Sequence, residues 1–173
     1  MQELEFALLD LIQTYLKTDW LDALVPAFTR LCDHGELWIV LAAVLLLFPR
    51  TRRLGVAVAL ALILDLVTCN WVMKPLFHRV RPYDVNTAVQ LLVPRLGDFS
   101  FPSGHTACSF AAAGALRGMG SRLWVPAVVI AVLMGLSRLY LYVHWPSDVL
   151  AGAVVGWLCG AAAAYLVKRK TSR

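Results

Sequence analysis

From Leu123 to about Tyr142 the chain runs twenty residues with one charge, Arg138. From Asp148 to Val167 it runs another twenty with one charge, Asp148. At about 1.5 Å per residue each would make a helix of about 30 Å, the thickness of a bilayer's hydrocarbon core. Lipid offers no hydrogen-bond partners to a bare backbone, so segments of this kind fold as helices and pack side by side. Composition agrees. Of 173 residues, 60% are hydrophobic and 16% charged, against about 45–50% and about 25% in a soluble domain. The expected fold is all-α: a polytopic membrane helix bundle, with residues 1–173 as one membrane-embedded domain.

The remaining segments fit that frame. Residues 3–17 place Leu4, Leu8, Leu11, Ile12 and Tyr15 at helical spacing among Glu3, Glu5, Asp10 and Lys17. This predicts an amphipathic helix lying in the interface, and residues 1–35 are expected to anchor and pack. Residues 36–173 form the expected core. Glu36–Phe48 is a short apolar run, Leu54 to about Phe77 a longer one, and the stretch after His105 is rich in small residues suited to close helix packing. Five to six transmembrane helices are expected. Asp65, in the middle of the second run, reads as a polar contact between helices, and His34 as a loop residue. Cys32, Cys69, Cys108 and Cys159 lack a metal-binding spacing and read as small apolar side chains.

Charge sets orientation. Arg50, Arg52 and Arg53, then Arg117 and Arg122, then Lys168, Arg169, Lys170 and Arg173 fall at alternate helix ends. The positive-inside rule puts all three groups in the cytoplasm. Three other polar groups then share the outer face: Lys74 to Pro82, Pro102 to His105, and Ser137 to Asp148. Ionisable groups at such a boundary signal function, because burying them is costly. Pro146 separates His144 from Asp148 and suits the first turn of a helix. Asp148 is therefore expected to accept a hydrogen bond from one imidazole nitrogen of His144 and leave the other free to attack an electrophile. Arg138 offers a planar fork suited to phosphate. Arg79 and His78 read as interfacial side chains outside the site.

These groups carry a resemblance. Lys74…Arg81-Pro82, Pro102-Ser103-Gly104-His105 and Ser137-Arg138…His144…Asp148 follow the pattern K-x6-R-P, P-S-G-H, S-R-x5-H-x3-D at every charged position. The chain resembles the type 2 phosphatidic acid phosphatase, or lipid phosphate phosphatase, superfamily, over residues 54–168. The resemblance implies hydrolysis of a lipid phosphate through a phosphohistidine. His144 would be the nucleophile, Asp148 its orienter, and His105 the general acid and then base. Lys74, Arg81 and Arg138 would bind phosphate, with the backbone N–H groups of Ser103 and Gly104 at a helix N-terminus. No metal and no cofactor is implied, because cations take the metal's place. The expected partners are the bilayer and a membrane lipid phosphate, with no nucleic acid, and the site faces outward from the cell membrane. A phosphotransferase and a non-catalytic lipid-phosphate binder or transporter are the alternatives. The motifs alone do not separate phosphatidic acid, phosphatidylglycerol phosphate and undecaprenyl pyrophosphate.

Overall fold

The computed structural model describes residues 2–170, so Arg173 of the third basic group lies outside them. The described residues form helices and connecting turns, with no strand among them. The helices are α1 (Gln2–Tyr15), α2 (Asp19–Thr29), α3 (Glu36–Leu47), α4 (Arg52–Asp65), α5 (Lys74–Phe77), α6 (Pro82–Val85), α7 (Gly104–Gly118), α8 (Trp124–Tyr140) and α9 (Pro146–Arg169). Between α4 and α5 the backbone continues as a π-helix, Leu66–Met73, whose i→i+5 hydrogen bonds make wider turns. Two stretches, Arg52–Val85 and Pro146–Arg169, are long and apolar enough to cross a membrane. Glu36–Leu47 and Trp124–Tyr140 are apolar but shorter.

Helix α7 is the centre. It packs most extensively on α9, and also on α8, α4 and α3. Along α9, Gly152, Gly156 and Gly160 recur every four residues and face Ala107, Ala111 and Ala115 of α7. Residues four apart share a helix face, so this is one smooth stripe against another, and the two backbones meet with no side chain between them. A methyl group on Gly152 would lie 2.6 Å from the Ser103 carbonyl oxygen, and at Gly156 and Gly160 the clash with α7 is closer still.

The distribution of polarity is the reverse of a water-soluble bundle. Trp71, Leu150, Val154 and Leu158 are exposed on the outside, whereas Lys74, Arg81, Arg138, His144 and Asp148 are buried. A surface this apolar needs an apolar surrounding. Helix α1 lies across one end of the bundle against α8 and α9. It buries Leu9 and leaves Leu4, Leu8, Leu11 and Tyr15 exposed, and Gln13 Nε2 donates to the Tyr140 carbonyl at 2.7 Å.

Candidate active site

Three chain segments converge at the end of the bundle where α5 finishes and α7 and α9 begin. After α8 the backbone turns sharply, with Tyr142 in the left-handed region at φ 59° and the Val143 N–H bonded back to the Arg138 carbonyl at 3.2 Å. This turn puts His144 inside, 1% exposed. Its Nδ1 lies 2.8 Å from the Ser100 carbonyl oxygen. A carbonyl only accepts, so Nδ1 carries the proton and Nε2 carries the lone pair. Nε2 lies 3.3 Å from Arg81 Nη1. Burial, followed by the charges of Arg81, Arg138 and Lys74, holds the imidazole well below its ordinary pKa, and it is neutral at neutral pH.

Asp148 departs from expectation. Its Oδ2 stands 3.6 Å from His144 Nδ1, beyond hydrogen-bond reach. The Ser100 carbonyl takes that place. Asp148 Oδ2 accepts instead from Ser100 Oγ at 2.5 Å and from the Trp145 N–H at 2.9 Å, and Oδ1 accepts from Arg79 Nη1 at 2.6 Å. The carboxylate closes the start of its own helix through the Trp145 N–H, three residues back, instead of bonding the imidazole. Its link to His144 runs through Ser100, whose hydroxyl it accepts from and whose carbonyl takes the imidazole N–H.

Arg79, read from sequence as a bystander, is therefore a correction. It bridges Asp148 to Glu5 Oε2 at 2.6 Å, and Glu5 Oε1 accepts from the Ser147 N–H and hydroxyl at 3.0 and 2.5 Å. Helix α1 thus does more than anchor, since it supplies a carboxylate to the support of the site.

The cations are fixed in different ways. Arg81 donates to the Val143 carbonyl at 2.7 Å, the Asp98 carbonyl at 3.0 Å and Asp98 Oδ1 at 2.6 Å. Lys74 Nζ pairs with the same Asp98 carboxylate. Partial burial would raise Asp98, but the hydrogen bond from Lys74 and the charges of Lys74 and Arg81 bring it down to about 2. The bridge therefore holds across ordinary pH and is lost only as pH falls toward that value. Arg138 is 2% exposed. Its Nη1 donates to Thr29 Oγ1 at 2.5 Å, while its Nε is sealed from solvent and has no hydrogen-bond partner. One guanidinium donor is thus left without an acceptor from the protein.

At the N-terminus of α7 the two expected amides differ. The Ser103 N–H is already donated to the Asp148 carbonyl at 3.1 Å, which ties α7 to α9. Gly104 lines the cavity, where its first-turn amide and the helix dipole favour an anion. His105 also lines the cavity, and its Nε2 lies 3.2 Å from Asp33 Oδ1 in the turn before α3. Asp33 was not singled out from sequence, nor were Asp98, Ser100 and Thr29. All four are short polar residues in turns or near helix ends, where such residues are common for local reasons, and only the tertiary fold brings them here.

The cavity holds about 700 Å³ and is lined by Lys74, Arg81, Gly104, His105 and His144 at one end and by Ile39, Ala42, Leu46, Leu62 and Ile63 of α3 and α4 at the other. A bare imidazole nitrogen, buried cations and a second histidine at one end of an apolar slot can transfer a phosphoryl group borne by an amphiphile.

A PAP2 superfamily model matches residues 50–172. The chain is 35% identical over 130 residues to an undecaprenyl-diphosphatase of Sulfolobus acidocaldarius, a match that covers 75% of this chain and 61% of that protein. Among solved structures, Aquifex aeolicus LpxE superposes with a TM-score of 0.78 at 29% identity, covering 92% of this chain and 94% of that one. A transmembrane PAP2-type phosphatidylglycerolphosphate phosphatase from Bacillus subtilis gives 0.75 at 27% identity, over 99% and 86%.

Proposed function

The chain belongs to the PAP2 superfamily, and on that premise we propose that it is a membrane lipid phosphatase or pyrophosphatase that works through a phosphohistidine and needs no metal. The observation that carries this is the lone pair on His144 Nε2, set among Lys74, Arg81 and Arg138 with Arg138 Nε unpartnered. A protein that only bound lipid phosphate would need the cations but not a neutral nucleophile with its tautomer fixed.

The chemistry runs in two displacements. A phosphate dianion displaces the Asp98 carboxylate from Lys74 and Arg81 and takes the free donor of Arg138 and the Gly104 amide. The Nε2 lone pair forms the N–P bond as the bond from phosphorus to the lipid oxygen breaks. His105, held by Asp33, takes up a proton from water as the dianion enters and offsets the neighbouring cations, and gives that proton to the departing oxygen. A water then loses a proton to His105, attacks phosphorus, and the N–P bond breaks to release inorganic phosphate and restore His144. The cations stabilise charge on the equatorial oxygens throughout. They also make the site hostile to a divalent ion, and Asp148 is fully committed to Ser100, Trp145 and Arg79. Purified in detergent, the protein should release phosphate from at least one of phosphatidic acid, phosphatidylglycerol phosphate and undecaprenyl pyrophosphate, undiminished by excess EDTA. Release from none of them would sink the phosphatase reading. Loss in EDTA with rescue by magnesium would sink the metal-free one.

The apolar end of the cavity, between α3 and α4, suits an acyl or prenyl chain that stays in the bilayer. On this reading the chain is multi-pass with five or six spans, and its site faces away from the cytoplasm. The directions of α4, α7 and α9 support this, because the basic groups at 50–53, 117–122 and 168–170 fall at the end opposite His144. In a background lacking the four native cysteines, Asn86→Cys should react with a membrane-impermeant thiol reagent in intact cells, and Arg52→Cys should not. Reversed labelling would turn the site toward the cytoplasm.

A further inference from the structure

Lys74 follows Asp65 by nine positions. On a regular α-helix of 3.6 residues per turn they would project from opposite faces. Both nevertheless line the same cavity, and so does Asn70 between them. The π-helical segment Leu66–Met73 is the cause. With i→i+5 bonding, more residues fit in each turn, and side chains four to five apart fall into one row. The widened turns thus aim Asp65, Asn70 and Lys74 as a polar stripe into the cavity, running from its apolar middle to the phosphate cations.

The lower part of this stripe has no role in the two displacements. Asp65 is 4% exposed. One of its oxygens, Oδ1, accepts from Cys69 Sγ at 3.1 Å. Its other oxygen and the Asn70 side chain have no hydrogen-bond partner among the described residues. The surrounding wall is apolar, formed by Ala42, Ala43, Leu46, Leu62, Ile63 and Leu66. A carboxyl placed in such a wall is costly unless something donates to it, and here the only open side is the cavity.

We propose that Asp65 and Asn70 form a subsite for a hydroxyl or amide N–H carried by the lipid close to its phosphate. The proposal rests on the phosphatase reading and narrows it. The favoured substrates are lipids with a hydrogen-bond donor on a glycerol or sugar unit near the scissile phosphate. Polyprenyl phosphates have only C–H bonds there, so binding one would leave the Asp65 carboxyl dry and unpaired.

The test compares two lipids that differ in one group: 1-acyl lysophosphatidic acid, with its free 2-hydroxyl, and its 2-deoxy analogue. The wild-type ratio of kcat/KM for the two should favour the hydroxyl lipid by roughly tenfold, the worth of one good buried hydrogen bond. Asp65→Leu should bring the ratio close to one, and Asp65→Asn, which keeps an acceptor oxygen, should hold part of it. A ratio does not depend on how much protein folds. If Asp65→Leu yields no active protein, Asn70→Leu supplies the same reading with a smaller expected fall. A wild-type ratio near one, or a ratio that survives both leucine variants, overturns the subsite and leaves the phosphatase standing. Hydrolysis of neither lipid, nor of any in the wider panel, overturns both.

Discussion

His144→Ala is expected to lower lipid phosphate hydrolysis by roughly four orders of magnitude or more, the scale seen when a covalent nucleophile is removed. The fold has little reason to change. The imidazole makes one tertiary hydrogen bond of good geometry, to the Ser100 carbonyl, and the start of α9 is held independently by Asp148 on the Trp145 N–H. The cations remain, so inorganic phosphate should still bind the variant. The decisive measurement is rapid acid-free quenching with ³²P-labelled substrate. Wild-type protein should carry a base-stable, acid-labile label and the variant none. Near wild-type phosphate release from His144→Ala would remove the covalent mechanism altogether.

The second large effect is expected at His105, and its size should depend on the leaving group. General acid catalysis contributes about 10²–10⁴, and the need for it grows with the basicity of the departing oxygen. His105→Gln should therefore lose most activity on a lipid alkyl phosphate, where an alkoxide departs. It should lose much less on p-nitrophenyl phosphate, whose leaving group needs no proton. The glutamine amide can still donate to Asp33 Oδ1, now 3.2 Å from the ring, so packing is preserved. Equal losses on both substrates would mean that His105 binds phosphate instead of protonating the leaving group.

The residues proposed to do the chemistry stood out in the sequence because that chemistry needs particular types at particular spacings near helix ends. Lys74, Arg81, Gly104, His105 and His144 meet at one cavity as the motifs imply. What supports them was not legible. Asp98 and Asp33 are ordinary loop carboxylates until the chain folds, and Arg79 looks like any interfacial arginine. The sequence already puts Asp148 in the first turn of a new helix, and its carboxylate is expected to reach His144 from there. Pro146 starts a new helix between them, and that helix needs a cap, so Asp148 turns to its own backbone. The widened turns of Leu66–Met73 left no trace either, since an apolar run reads as a regular helix whatever its pitch. By contrast, Gly152, Gly156 and Gly160 stood in the sequence at a spacing that encodes close packing, and were passed over within an apolar run.

The bridge from Glu5 through Arg79 to Asp148 bears on the order in which the protein is made. Glu5 leaves the ribosome well before its partner Ser147, which lies 142 positions later. The two ends of this bridge cannot meet until the last helix has been synthesised and seated against the first. Every earlier helix can be in place while Asp148 and His144 are still absent, so a half-made chain has the cations but not the proposed nucleophile. On the proposed mechanism, hydrolytic competence would arrive only with completion of the bundle.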